Sequence, residues 1–209
     1  MLLKFRAANA VILIVLLGST SCSAQQTRLV GGGCEGCEAL LEYGSKVLAP
    51  TDTLPGFHDN EPKLKITGTV YELDGTTPAE GVIVYIYHTD RTGVYPKLGD
   101  ETGWARRHGY IRGWTKTGKD GSYTFYTFRP ASYPDGSEPE HIHLTVKEPD
   151  TNEYYLDDYV FDDDPLLTQR HRDNFRNRGG SGIMKVVNRD GIQTIHRDII
   201  LGMNVTDYQ

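Results

Sequence analysis

The chain has 209 residues, 38% hydrophobic and 24% charged, which is enough apolar material for one ordinary globular domain with a short appendage. Its formal charge of −6 comes without the clustered basic surface that phosphate backbones select, so no nucleic-acid partner is expected.

Residues 1–22 read as an export signal. Lys4 and Arg6 precede an uncharged stretch, 7–17, centred on Val11-Ile12-Leu13-Ile14-Val15-Leu16-Leu17, and the small residues Gly18 to Ser21 lead into Cys22. That apolar run is too short for a bilayer span, which takes about 20 residues; a basic start, an apolar centre and a small-residue exit are the marks of a leader. Two outcomes stay open. The leader is cleaved for plain secretion, or Cys22 is lipidated as in bacterial lipoproteins and tethers the chain to a membrane. The approach Ser19-Thr20-Ser21 departs from the usual leucine three residues before such a cysteine. Either way the expected location is exported: periplasmic, secreted or on the outer surface.

Residues 23–62 read as an N-terminal arm, punctuated by Gly31-Gly32-Gly33, Pro55-Gly56 and Pro62, with one short helical pattern over 37–47. Cys34 and Cys37 form a C-x-x-C pair outside any thioredoxin-like strand-to-helix setting. In an exported chain a local disulfide is favoured over a redox or metal role.

From 63 to 209 the pattern is that of one domain built from short strands. Strand signals fall at 65–71, 82–87, 113–117, 123–128, 141–147 and 192–201, separated by Asp74-Gly75, Thr92-Gly93, Lys119-Asp120-Gly121 and Asp135-Gly136. Many short strands and little helix predict an all-β fold, an antiparallel β-sandwich with long loops. The stretch 162–182 carries no strand signal and is the kind of long loop that serves function.

The chemical focus is His141-Ile142-His143-Leu144-Thr145. Side chains alternate faces along a strand, so both histidines point one way while Ile142, Leu144 and Val146 anchor the other face to a core. Two imidazoles so placed can reach one metal ion, and zinc, copper and iron all remain open at this point. Oxygen donors are offered by Tyr133, on the proline-stiffened Arg129-Pro130-Ala131-Ser132-Tyr133-Pro134, and by Tyr95 after the strand at 82–87.

The order Gly93-x-Tyr95, Arg112-Gly113-x-x-x-Thr117, Asp120-Gly121-x-Tyr123-x-Phe125, Arg129-Pro130-x-x-Tyr133-Pro134 and Pro139-x-His141-Ile142-His143 resembles the intradiol ring-cleavage dioxygenases of the catechol and protocatechuate type. The resemblance covers roughly 65–201. It implies a β-sandwich and a non-haem Fe(III) held by Tyr95, Tyr133, His141 and His143. Phenols titrate near pH 10, but a bound cation can deprotonate them, and two hard phenolates favour the ferric state. The resemblance further implies a small aromatic diol and O2 as partners. The diol binds as a dianion and displaces Tyr133, which helps accept its protons. The ring then opens between the hydroxylated carbons to a muconate-type dicarboxylate, with both atoms of O2 incorporated. A homo-oligomer is admitted, since family members range from dimers to large assemblies. His58, His88, His108, His171 and His196 match no ligand position and read as surface or hydrogen-bonded residues.

Two departures from the family pattern bear on activity. Where the family has Arg-Pro-Ala before the first histidine, this chain has Glu138-Pro139-Glu140, which reverses the local charge where carbanion character develops on the substrate. Asp158 stands where a glutamine is usual, although Asp163-Asp164-Pro165 keeps the end of the following turn. Either Glu138 and Asp158 adapt the site to a different substrate, or they balance Arg112 or Arg129 as ion pairs. Arg112 is expected to substitute in part for the missing arginine; the alternative is a solvated or sheet-capping arginine. Two other functions stand beside the ferric dioxygenase: a sandwich-fold binding module without catalysis, and an enzyme using zinc or copper at the same histidines.

Overall fold

A computed structural model describes residues 28–208; the expected export signal and Cys22 lie outside the described residues. The strands are β1 (Thr51–Thr53), β2 (Lys63–Tyr71), β3 (Ile83–Tyr87), β4 (Arg112–Lys116), β5 (Ser122–Phe128), β6 (His141–Lys147), β7 (Tyr154–Tyr155), β8 (Tyr159–Phe161), β9 (Ile183–Met184), β10 (Val187–Arg189), β11 (Ile192–His196) and β12 (Ile199–Ile200). Helical structure among the described residues is confined to a 3₁₀ turn at Cys37–Leu41, α1 (Ala105–His108) and α2 (Gln169–Asn174).

The strands form two six-stranded sheets, one in the order β1-β5-β2-β11-β10 with β12 also on β2, the other β4-β3-β6-β8-β9 with β7 also on β6. The expected β-sandwich is present. Its long pairs are antiparallel, while β1–β5, β2–β11, β2–β12 and β8–β9 are parallel. These short strands arrive over long connections rather than tight hairpins, which leaves their direction free of the hairpin constraint.

Alternation builds the core. β2 buries Leu64, Ile66 and Val70 against β5 residues such as Phe125 and against Val84, Ile86, Ile142, Leu144 and Val146 of the second sheet. Each such side chain contributes roughly 1.5–3 kcal/mol by leaving water. Glycine occupies the remaining inward position of β2 because a Cβ on Gly68 would lie 1.8 Å from the carbonyl oxygen of Arg197.

The arm is integrated with the sandwich. β1 pairs with β5, and Asp52 on β1 accepts hydrogen bonds from the Trp114 backbone N–H at 2.9 Å and from Lys46 at 2.6 Å, which ties β1 to the other sheet. The turn Cys37–Leu41 sets Ala39 and Leu40 against Tyr85 and Trp114 in a second small core on the outer face of the second sheet. The helical pattern expected over 37–47 is realised only as that one turn, whose N-cap makes no side-chain hydrogen bond. Cys34 and Cys37 are joined as a disulfide. Among the described residues no helix is long and apolar enough to cross a membrane.

Candidate metal centre

On β6 the alternation separates the chemistry from the core as the sequence predicts. Ile142, Leu144 and Val146 are buried in the main core, and His141 and His143 share the outer face, opposite Val160 of β8 and Tyr87 of β3 respectively. Two loops bring tyrosines to that face. The turn after β3 leads into Tyr95 through Gly93, which adopts φ +81° and whose added Cβ would lie 2.1 Å from the Ser132 carbonyl oxygen. Glycine there lets this turn press against the loop carrying Tyr133. Thr89 donates to the Ala131 carbonyl at 2.7 Å, and Arg91 donates to the carbonyls of Arg129 and Pro130 at 2.9 and 2.8 Å, which locks the two loops together.

Four donor atoms converge. The Tyr95 hydroxyl lies 2.8 Å from the Tyr133 hydroxyl and 2.8 Å from Nε2 of His143, and the Tyr133 hydroxyl lies 3.2 Å from Nε2 of His141. Donors about 2 Å from a common ion and at right angles to one another are about 2.8 Å apart. The three contacts along the run His141–Tyr133–Tyr95–His143 are compatible with that spacing, and two phenols with two imidazoles make a donor set suited to a hard, highly charged cation.

Both ring orientations are held from behind. His141 Nδ1 pairs with the Pro139 carbonyl at 2.7 Å. His143 Nδ1 lies 3.2 Å from each carboxylate oxygen of Asp158. One face of His143 stacks on Tyr87 at 4.4 Å between centroids, and Tyr87 stacks in turn on His108 at 3.7 Å.

Electrostatics explain what state these groups rest in. Burial pushes the Tyr95 phenol well above its ordinary range, and its hydrogen bond with Tyr133 adds to the effect. Burial also raises Tyr133; the bond to Tyr95 opposes this, and the charges of Asp158, Glu138 and Asp135 reinforce it. His141 is held below its ordinary value by burial, then by His143. Burial pushes the Asp158 carboxyl up, yet His143, joined by the charges of His141 and Arg197, outweighs it and leaves the carboxyl below its usual range. By themselves the phenols stay protonated; a bound cation would release their protons and reverse that balance.

The cluster opens on a cavity of about 730 Å³ whose walls include Tyr133, His141, His143, Asp158, Glu138 and Arg170. That volume accommodates a small organic molecule. Tyr95 is not among the wall residues.

Arg112 is not brought to this cavity, contrary to the expected substitution for the missing arginine. Its guanidinium pairs with Glu42 at 2.7 Å and lies over the Trp114 ring, so the arm draws it away from the cluster. Arg129 pairs with Glu140 at 2.5 Å and Asp163 at 2.8 Å. Neither arginine balances Glu138 or Asp158, which corrects the ion-pair reading of those acids. Sequence reasoning also missed Arg170 and His171 as cavity residues. The only signal pointing to them was their place in the long stretch 162–182. His88 and His108 are buried and hydrogen-bonded, to Thr127 and Tyr85 respectively, and His196 pairs with Asp198 at the surface.

No family model matches the chain. A curated relative, catechol 1,2-dioxygenase 1 of Acinetobacter lwoffii, is 32% identical over 120 residues, covering 50% of this chain and 37% of the relative, so the chain spans little more than a third of that protein's length. Among solved structures, the dioxygenase domain of a dioxygenase and carbohydrate-binding fusion from the cellulolytic bacterium Streptomyces sp. SirexAA-E matches with TM-score 0.52 and 25% identity over 66% of this chain and 79% of that one. Catechol 1,2-dioxygenase from Pseudomonas arvilla C-1 shares the fold, with TM-score 0.56 and 14% identity over 76% of this chain and 58% of that one.

Proposed function

We propose that this chain, which resembles the intradiol ring-cleavage dioxygenases in sequence and in fold, is a non-haem ferric dioxygenase that opens a catechol-like ring with O2 to a muconate-type dicarboxylate. The observation that carries this reading is the run of 2.8–3.2 Å contacts linking His141, Tyr133, Tyr95 and His143, of which Tyr133, His141 and His143 line a substrate-sized cavity.

Bound there, a ferric ion supplies the Lewis acidity that holds a catecholate and renders its ring reactive toward dioxygen. The protein residues supply the rest. Tyr133 faces the cavity whereas Tyr95 does not, so Tyr133 is the ligand placed to give way to the incoming diol and to take up one of its protons. Tyr95 is kept by its contacts with both Tyr133 and His143. The imidazoles hold their Nε2 atoms toward the centre, and the apolar wall residues Leu156, Val160 and Phe175 restrict water around the ring.

Purified protein loaded with Fe(III) is expected to be reddish, because tyrosinate bound to ferric ion absorbs visible light, and to consume oxygen with a panel of catechols. Tyr95→Phe and Tyr133→Phe should each weaken iron retention by at least ~10-fold and alter the colour. A colourless protein with no oxygen uptake refutes the assignment. A coloured protein that turns over no catechol instead supports a binding module that keeps fold and metal, the reading favoured by the acidic Glu138. Export is part of this proposal, resting on the basic and apolar pattern of residues 1–22. The mass of the mature chain decides between a free and a lipidated Cys22.

A further inference from the structure

The ring-opening scheme leaves Asp158 without a task, although this side chain touches one of the four proposed ligands. We propose that Asp158 is a positioning residue: its carboxylate accepts a hydrogen bond from Nδ1 of His143, aims Nε2 at the donor cluster and makes His143 the stronger donor of the two imidazoles. The inference rests on the iron reading of the cluster.

The two histidines differ in what stands behind them. His141 has a neutral carbonyl, that of Pro139, 2.7 Å from its Nδ1. His143 has a carboxylate, with both oxygens 3.2 Å from its Nδ1. A charged acceptor polarises the ring N–H more than a neutral one and raises electron density at the opposite nitrogen, so the pair is built unequally. The ring plane is fixed as well, because Tyr87 stacks on its face at 4.4 Å.

Asp158 is itself held in place from both sides. The preceding Asp157 carbonyl accepts from Arg197 Nη1 at 2.6 Å, and the Asp157 carboxylate accepts from the Asn177 N–H at 2.6 Å. The following Tyr159 is buried, its hydroxyl 2.9 Å from that of Tyr123. Gly182 packs so closely that an added Cβ would lie 2.2 Å from the Asp158 carbonyl oxygen. A carboxylate on so constrained a backbone can enforce orientation rather than follow it.

One competing role is direct ligation, since donor atoms of His141, His143 and Asp158 all lie within 4.8 Å of one another. The contacts favour positioning: Asp158 meets Nδ1 of His143, whereas Nε2 of that ring faces the Tyr95 hydroxyl.

The test uses the full chain loaded with Fe(III) as wild type, Asp158→Asn and Asp158→Glu, with folding checked by circular dichroism. Two readouts apart from turnover are taken, the wavelength of the tyrosinate charge-transfer band and the rate of iron loss to a chelator. Asparagine keeps the shape and an acceptor oxygen but removes the charge. A less generous imidazole leaves the ferric ion more electron-poor, so the band should move to longer wavelength and iron should be lost about 10-fold faster. Asp158→Glu, which restores the charge one methylene further out, should bring both readouts back toward wild type. Wild-type band position and iron retention in Asp158→Asn overturn the proposal. So does complete loss of the band in a folded Asp158→Asn protein, which makes Asp158 a ligand. Absence of the band from wild type overturns the iron reading first and this inference with it, so the two failures are told apart.

Discussion

A buried imidazole that must stay neutral makes stability depend on pH. His88 is fully buried with Nδ1 against the Thr89 carbonyl and Nε2 against the Thr127 hydroxyl, both at 2.7 Å. Burial pushes it down to about 4, and burial likewise lowers His108 to about 4. An unfolded histidine takes up its proton near pH 6.5. Between those values the unfolded chain binds more protons, so stability is intact above about pH 6.5 and is lost as pH falls toward 4. Full burial at His88 sets an upper bound of roughly 3 kcal/mol for its share. Urea midpoints measured at pH 7.5 and 4.5 should show this fall, and His88→Gln should reduce it while leaving the share of His108. At the same scale, the sequence exposed the histidine pair through a two-residue spacing. It gave no sign that Asp158 sits behind His143, because nothing local links residues whose contact arises from β6 and the start of β8 lying side by side.

Elements whose pattern repeats over many residues could be read in advance, and those without a repeat could not. β2, β5 and β6 alternate over seven to nine residues and were found close to their expected limits. The two-residue strands β7, β9 and β12 carry no period at all, and they exist because neighbouring strands offer them free backbone groups. α2 hid inside the supposed loop for a different reason. Its capping box pairs Thr168 with His171, whereas the usual signature has Glu or Gln at that third position. The parallel return of β11 and β12 onto β2 depends on Gly68, where the backbone at Arg197 crosses. Gly68→Ala should therefore lower stability by about 3 kcal/mol, seen as a reduced urea midpoint without loss of the β-type circular dichroism of the remaining fold. Asp52 joins elements of both sheets through its hydrogen bonds to Lys46 and Trp114. Asp52→Ala leaves a buried backbone N–H without its acceptor and should cost about 2 kcal/mol by the same measurement.

For the molecule as a whole, the charge around the cavity bears on which diol the proposed activity would favour. Its walls include three carboxylates, Glu138, Asp157 and Asp158, against the guanidinium of Arg170, on a chain whose net charge is −6. An uncharged catechol should be favoured over a carboxylated one by about 10-fold in kcat/KM, and Glu138→Arg should narrow or reverse the ratio. Alternation and turn residues are local properties, and for that reason the chain by itself determined a sandwich, a histidine pair on one face of a strand and two tyrosines at strand ends. Packing between distant segments decided the rest. It set the hydroxyls of Tyr95 and Tyr133 2.8 Å apart across 38 positions of sequence, and it gave His143 a carboxylate partner while giving Arg112 to Glu42. Which of several competing partners a side chain meets depends on long-range geometry that only the folded core supplies.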